Sequence, residues 1–326
     1  MRYAKLGRTG WSVSRLGLGC MSCGDPASRD RILDEAAARP LFERALEAGI
    51  DFLDTADVYS DGVSEEIPGR ALRDLVPDRE DSVVATRCCG GTHRGRRNRH
   101  GLARKNVLAS CDASRRRLGK ARGAWRGSAR RATSNTGSVR ARSAPREPWY
   151  GPPTVLRSLG VSCIRGRSGA SPANRTGAPR PAATADRGSR DREEERETIP
   201  FCLDDGVGLI PSSPLARGFL AGNRHREGGG TARAKSDDFA RRRDYADNDF
   251  EIAEANAALA ARRGVQPVRT APAWLLARPG VTAPIVGATK LEHLDAAVAA
   301  VDRELSGEEL AELAAAYRPH PVLGHR

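Results

Sequence analysis

Three short stretches of the 326-residue sequence hold side chains whose types and spacing could do chemistry. In D-T-A-D-V-Y-S, residues 54–60, Asp54 and Tyr59 fall just beyond a short apolar run that reads as a strand. A carboxylate and a phenol at a strand end can hold or pass a proton, and the plainer reading is a turn cap and a half-buried aromatic. Gly287, Ala288, Thr289 and Lys290 follow another apolar run and open a helix, so backbone N–H groups and the lysine could hold a phosphate. An ordinary capped helix start is the alternative there. Cys20-Met21-Ser22-Cys23 has the spacing of a redox or zinc half-site. No second C-x-x-C or histidine pair in the sequence completes it, and two small residues at a strand end explain it more simply.

The elements that must position these groups alternate. Tyr3 to Gly10 suggests an N-terminal hairpin, and 13–19 (V-S-R-L-G-L-G) reads as one strand. Leu41, Phe42, Ala45 and Leu46 recur at helical spacing with Gly49 as a stop. A strand over 51–55, a helix over 64–75, a strand over 82–86 and a helix over 107–118 follow. Beyond residue 190 the pattern resumes: a helix over 193–203, a strand over 207–211, helices over 250–263 and 268–277, and a strand over 282–286. Leu291, Leu294, Val298 and Val301 form a helical stripe, and Ser306 with Glu309 makes a capping box for a last helix. Three βα units precede residue 120 and two follow residue 190. Three more between them would make eight, so the expected fold is an α/β, (β/α)8 TIM-type barrel in a single domain, with an N-terminal β-hairpin and strands four to six uncertain. A doubly wound sheet ranks second, because Gly17-Leu18-Gly19 does not continue as G-x-G-x-x-G.

The net charge of +13 and pI near 10.0 would by themselves suggest a polyanionic partner. The charge is not spread evenly, however. Residues 120–190 hold 15 basic and two acidic residues, and the rest of the chain holds 39 of each, so this stretch carries the whole excess. It has six Leu, Ile, Val or Phe in 71 residues, too few to bury a core, and none from Arg165 to Arg190. It reads as a poorly structured or frame-disturbed insert, and nucleic-acid binding as unlikely. Seven cysteines, no run of about 18 apolar residues and no apolar stretch after Met1 fit a cytoplasmic protein in a reducing compartment, with no membrane partner.

The motifs L-G-x-T-G-W-x-V-S-x-L-G-L-G-C-M near the start, D-T-A-D-V-Y-S, P-S-S-P-L-A-R-G-F-L-A-G-N (211–223), R-P-G-V-T-A-P-I-V-G-A-T-K and Y-R-P-H-P-V-L-G occur in order. Together they resemble the aldo-keto reductases over residues 1–119 and 192–326. The resemblance implies reversible hydride transfer between NADP and a small-molecule aldehyde or ketone. It makes Tyr59 the acid, helped by a lysine paired to Asp54 and by a histidine that orients the carbonyl. It places Gly287, Ala288, Thr289 and Lys290 on the adenosine 2′-phosphate with His293 one turn on. Ser213, Pro214, Leu215 and Gly218 fall along the pyrophosphate, and Ser162 is the remnant of a pair that grips the carboxamide.

Against that pattern the sequence departs in four ways. Arg87 stands where the lysine is expected, as Val83-Val84-Ala85-Thr86-Arg87, and a guanidinium is not interchangeable with an ammonium. No histidine occurs between His100 and His225, where the orienting one belongs. Ser212 replaces the aromatic ring that would stack on the nicotinamide, and the sixth-strand glutamine is not identifiable. The expectation is a reductase of impaired activity, or a non-catalytic NADP-binding or interaction protein on the same scaffold.

Overall fold

The structure, a computed structural model, describes residues 1–28, 31–88, 101, 103–119, 182–183, 192–223 and 247–318. β1 (Tyr3–Lys5) and β2 (Ser12–Ser14) pair antiparallel as the expected hairpin. The run expected as one strand over 13–19 is instead two, β2 and β3 (Gly17–Gly19). Side chains capture the backbone between them. Ser14 N–H donates to Asp51 Oδ1 and Ser14 Oγ to the Leu16 carbonyl, each at 2.7 Å. The Arg15 guanidinium bonds the carbonyls of Leu276 and Val281.

β3, β4 (Phe52–Asp54), β5 (Val83–Ala85) and β8 (Ile285–Val286) form a parallel sheet in the order β5-β4-β3-β8. β6 (Ala182–Ala183) and β7 (Gly208–Leu209) pair parallel. Parallel bridges Leu209–Val281 and Ser212–Ile285 join the two sheets beside β8. The described strands thus follow one another as β5-β4-β3-β8-β7-β6, and the chain between β5 and β6 contains most of the basic stretch. Parallel strands need crossovers. α1 (Glu35–Glu47) links β3 to β4, α2 (Val63–Leu75) links β4 to β5, and α3 (Arg104–Arg117) follows β5. α4 (Thr198–Asp204) precedes β7, and α5 (Asp247–Arg262) and α6 (Pro267–Leu276) lie between β7 and β8. α7 (Leu291–Val298) and α8 (Gly307–Ala315) follow β8, the latter with the expected Ser306–Glu309 capping box.

Prolines trimmed two expected elements. Pro200 has no N–H to give a helix interior, so the helix expected over 193–203 starts at Thr198, after a separate 3-10 turn at Glu193–Glu195. Pro284 shortens the strand expected over 282–286 to Ile285–Val286. Two apolar layers hold the sheet. Leu6 and Val13 of the hairpin pack with Phe52, Ala85, Ile210 and Ile285 on one face of the strands. Leu18, Leu53, Val84 and Val286 alternate to the other face and meet Leu41 and Phe42 of α1, Leu72 of α2 and Leu294 of α7. The first layer is tight at Gly17, where an added Cβ would lie 2.5 Å from Ile285 Cδ1 and 2.9 Å from Phe52 Cδ1. That face accepts no side chain at this position.

Candidate functional site

Parallel pairing brings the C-terminal ends of neighbouring strands together, and with them the residues that follow. Asp54, the last residue of β4, lies opposite Gly19 of β3 and Ala85 of β5. The pairing continues past the strands: Thr55 N–H donates to the Ala85 carbonyl at 2.8 Å, and Asp57 N–H to the Arg87 carbonyl at 2.9 Å. Tyr59 starts a 3-10 turn, Tyr59–Gly62, in which Ser60, Asp61 and Gly62 all have positive φ. Ser64 anchors the start of α2 beside it. Its Oγ donates to the Cys20 carbonyl at 2.6 Å, and the Thr55 hydroxyl lies 3.0 Å from the same Oγ.

Into this frame the Arg87 side chain turns back over β4. Its Nη2 donates to Asp54 Oδ2 and, at 3.1 Å, to the Tyr59 hydroxyl, and its Nε donates to the Thr55 carbonyl at 3.3 Å. The guanidinium carbon lies 5.7 Å from the Tyr59 ring centroid. Asp54 is 3% exposed and the Arg87 side chain 15%, so the pair is shielded from water. Asp54, Tyr59 and Arg87, predicted from separate motifs, therefore meet in one place. The guanidinium bridges carboxylate and phenol.

Sequence reasoning missed a second buried cluster directly behind. Glu65, fully buried in the first turn of α2, accepts from Arg117 Nε at 2.6 Å and from the Thr86 hydroxyl. Asp57, 1% exposed, sits beside it with Oδ1 lacking a hydrogen-bond partner. Burial, then the nearby Glu65 charge, raises the Asp57 carboxyl to about 6, against opposing contributions from Ser110 and Arg117. Asp57 stands inside D-T-A-D-V-Y, but nothing local tells a buried aspartate from a turn residue.

The other predicted loops gather on the same side of the sheet. The Ser212–Ile285 bridge sets the stretch holding Ser213, Pro214, Leu215 and Gly218 next to β8 and Gly287-Ala288-Thr289-Lys290. Ser22 Oγ donates to the Ala288 carbonyl at 3.1 Å, tying the turn after β3 to the loop after β8. Among the described residues, the non-glycine positive φ values fall at Arg31, Ser60, Asp61, Ser213, Ala216 and Arg217. All six are in loops that leave C-terminal strand ends, where strained backbone concentrates when a site is being shaped. Lys290 is the N-cap of α7 without a side-chain cap, so the first-turn amides lack a side-chain acceptor. Its Nζ lies 3.3 Å from Glu292, both well exposed, and His293 is exposed one turn on. Uncapped amides beside a lysine suit the phosphate end of a dinucleotide. Ser212 offers no ring to stack on a nicotinamide. Ser162 lies outside the described residues.

Cys20 and Cys23 are buried free thiols in the turn after β3. Hydrogen bonding to Cys23, then burial, pushes the Cys20 thiol well above its ordinary value. Among the described residues no group of three His, Cys, Asp or Glu could hold a metal ion, and no helix is long and apolar enough to cross a membrane.

A sequence profile of the aldo/keto reductase family matches residues 15–122 and 184–318, and the interval between them falls in the basic stretch. The chain is 34% identical to a versiconal hemiacetal acetate reductase of Aspergillus parasiticus, over 99% of this chain and 98% of that protein. It is 31% identical to an aldo-keto reductase of Alternaria alternata, over 99% and 93% respectively. The order of the motifs, the parallel strands that carry them and these full-length likenesses agree: the chain belongs to the aldo/keto reductase family of oxidoreductases, whose members act on small carbonyl compounds with a nicotinamide cofactor.

Proposed function

We propose that the chain reduces an aldehyde or ketone with NADPH, with Tyr59 as proton donor, Arg87 as the cation that supports it and Asp54 as the anchor of Arg87. The observation that carries this reading is the single guanidinium bonded to both Asp54 and the Tyr59 hydroxyl. NADPH, when bound, supplies the hydride. The protein's part is to hold the carbonyl oxygen at the Tyr59 hydroxyl and give it a proton. A free tyrosine has a pKa near 10, and a positive charge at hydrogen-bond distance favours the phenolate left behind. Met21 and Val58, exposed in the turns after β3 and β4, would give the carbonyl compound an apolar approach.

Arg87 makes this a slow version of the reaction. A guanidinium stays protonated, so unlike an ammonium it cannot hand a proton on to Tyr59. His293 is the one histidine among the described residues, and it sits on α7 at the cofactor loop. Lys290, with His293 nearby, favours NADP over NAD. Loss of carbonyl orientation supports the second reading, an NADP-binding protein without turnover.

Two measurements separate the readings. NADPH fluorescence titration reports binding, and oxidation of NADPH by a nitrobenzaldehyde reports turnover. Slow turnover that Tyr59→Phe abolishes while NADPH still binds is the expected result. Binding without turnover leaves the scaffold reading, and no binding removes both.

A further inference from the structure

The buried cluster behind the site touches both backbone segments that carry Tyr59 and Arg87. Arg117, the last residue of α3, lies against the turn that carries Tyr59: a Cβ on Gly62 would come within 2.9 Å of Arg117 Cδ and Nε. A Cβ on Gly69 of α2 would come within 2.5 Å of the Arg117 carbonyl and 2.9 Å of Leu118 Cα. Two glycines, one at φ +103°, thus let the end of α3 sink onto α2. From there Arg117 Nε reaches Glu65 Oε2 at 2.6 Å, and Glu65 Oε1 takes the hydroxyl of Thr86. Thr86 is the residue before Arg87. Asp57, which faces Glu65, Arg117 and Ser110, donates its N–H to the Arg87 carbonyl at 2.9 Å.

We infer that Glu65, held by Arg117, is a positioning residue: through the Thr86 hydroxyl it fixes the end of β5 so that the Arg87 guanidinium meets the Tyr59 hydroxyl. The inference builds on the Tyr59–Arg87 pairing proposed above. A structural ion pair would need neither the threonine hydroxyl nor its direction. Glu65 uses its second oxygen on Thr86, the residue before Arg87, and Arg117 packs on the turn bearing Tyr59. Both partners are thereby referred to a single buried charge pair, and their separation is set by rigid contacts.

The test reads Tyr59 itself and does not require turnover. Tyrosine labelled with 13C at Cζ gives each phenol a titration curve, and Tyr59→Phe identifies the Tyr59 signal. Arg87→Met should move the Tyr59 titration upward by about one pH unit, because a neighbouring cation is lost. Thr86→Val keeps the side-chain shape and the Glu65–Arg117 pair but removes the hydroxyl. It should move Tyr59 upward by about half a pH unit, and Thr86→Ser should restore it. If Thr86→Val does not fold, Thr86→Ala carries the same expectation. A Tyr59 curve that Arg87→Met shifts and neither Thr86→Val nor Thr86→Ala shifts overturns the positioning role alone. A curve that Arg87→Met also leaves in place overturns the Tyr59–Arg87 reading and this inference with it.

Discussion

The loops after β4 and after β8 both present charge at the C-terminal end of the sheet, in opposite ways. Around the end of β4 the charges are buried and committed: Arg87, which follows β5, to Asp54 and Tyr59, and Arg117 of α3 to Glu65. After β8 they are exposed and loosely engaged, with Lys290 65% and Glu292 70% accessible at 3.3 Å. A buried pair is costly to break, whereas an exposed pair contributes about 0–1 kcal/mol and is readily exchanged. The difference assigns two kinds of work. On the function proposed above, the side that holds Tyr59 is set before any ligand arrives, and the side that holds Lys290 keeps a cation that can change partners.

The largest expected effect lies on the buried side. Arg117→Ala leaves Glu65 charged and without its cation, which should destabilise the chain by about 3–5 kcal/mol in urea unfolding. Lys290→Ala should change stability by under about 1 kcal/mol. Equal losses for the two would erase the distinction between the loops.

Next comes Asp57, a buried charge that opposes folding. Its carboxyl titrates near 6 in the folded chain, against 3.8 as the ordinary value. Between those values the folded state holds more protons than the unfolded one, so this group lowers stability as pH rises, and its full cost is present above about 6. Asp57→Asn, whose amide can donate to Glu65, should therefore stabilise the chain at pH 8 by at most about 3 kcal/mol and at pH 4 hardly at all. Thermal melts at the two pH values check this. A gain independent of pH would mean that Asp57 is not the group responsible.

A smaller effect is expected in turnover. Arg87→Lys replaces a planar, permanently charged head by a compact ammonium that can pass a proton. Turnover should rise about tenfold, roughly 1.4 kcal/mol in the barrier. An unchanged rate would shift the cause of slow turnover from Arg87 to the vacant histidine role.

Local signals carried much of this arrangement and then stopped. D-T-A-D-V-Y and V-V-A-T-R each end a strand, but it was the resemblance to the aldo-keto reductases that grouped Asp54, Tyr59 and Arg87, and the parallel pairing of β4 and β5 brings them together. Glu65, Thr86 and Arg117 were not legible. They lie 21 and 52 positions apart. In Arg115-Arg116-Arg117 no spacing tells which arginine turns inward; the close approach at Gly62 and Gly69 decides it. The split between β2 and β3 was hidden for a similar reason. Ser14 and Arg15 continue an alternating pattern, and the distant partners Asp51, Leu276 and Val281 capture their groups where the strand breaks. Periodicity reports which face a residue takes, and long-range side-chain capture is outside its reach.

The smallest effect tests the exposed side directly. If Lys290 reads a 2′-phosphate, it must first leave Glu292, whose carboxylate competes for the same ammonium. Lys290→Met should weaken NADPH binding about fivefold, near 1 kcal/mol, and leave NADH almost unchanged. Glu292→Gln removes the competitor and a like charge from the phosphate's path, so it should tighten NADPH about twofold by the same electrostatic reasoning. Both changes should shrink in high salt, because these groups are open to solvent. Fluorescence titrations with the two cofactors at low and high salt distinguish the cases. If Lys290→Met weakens NADPH and NADH alike, the lysine is serving the pyrophosphate or the helix end, and the preference for NADP must come from another residue.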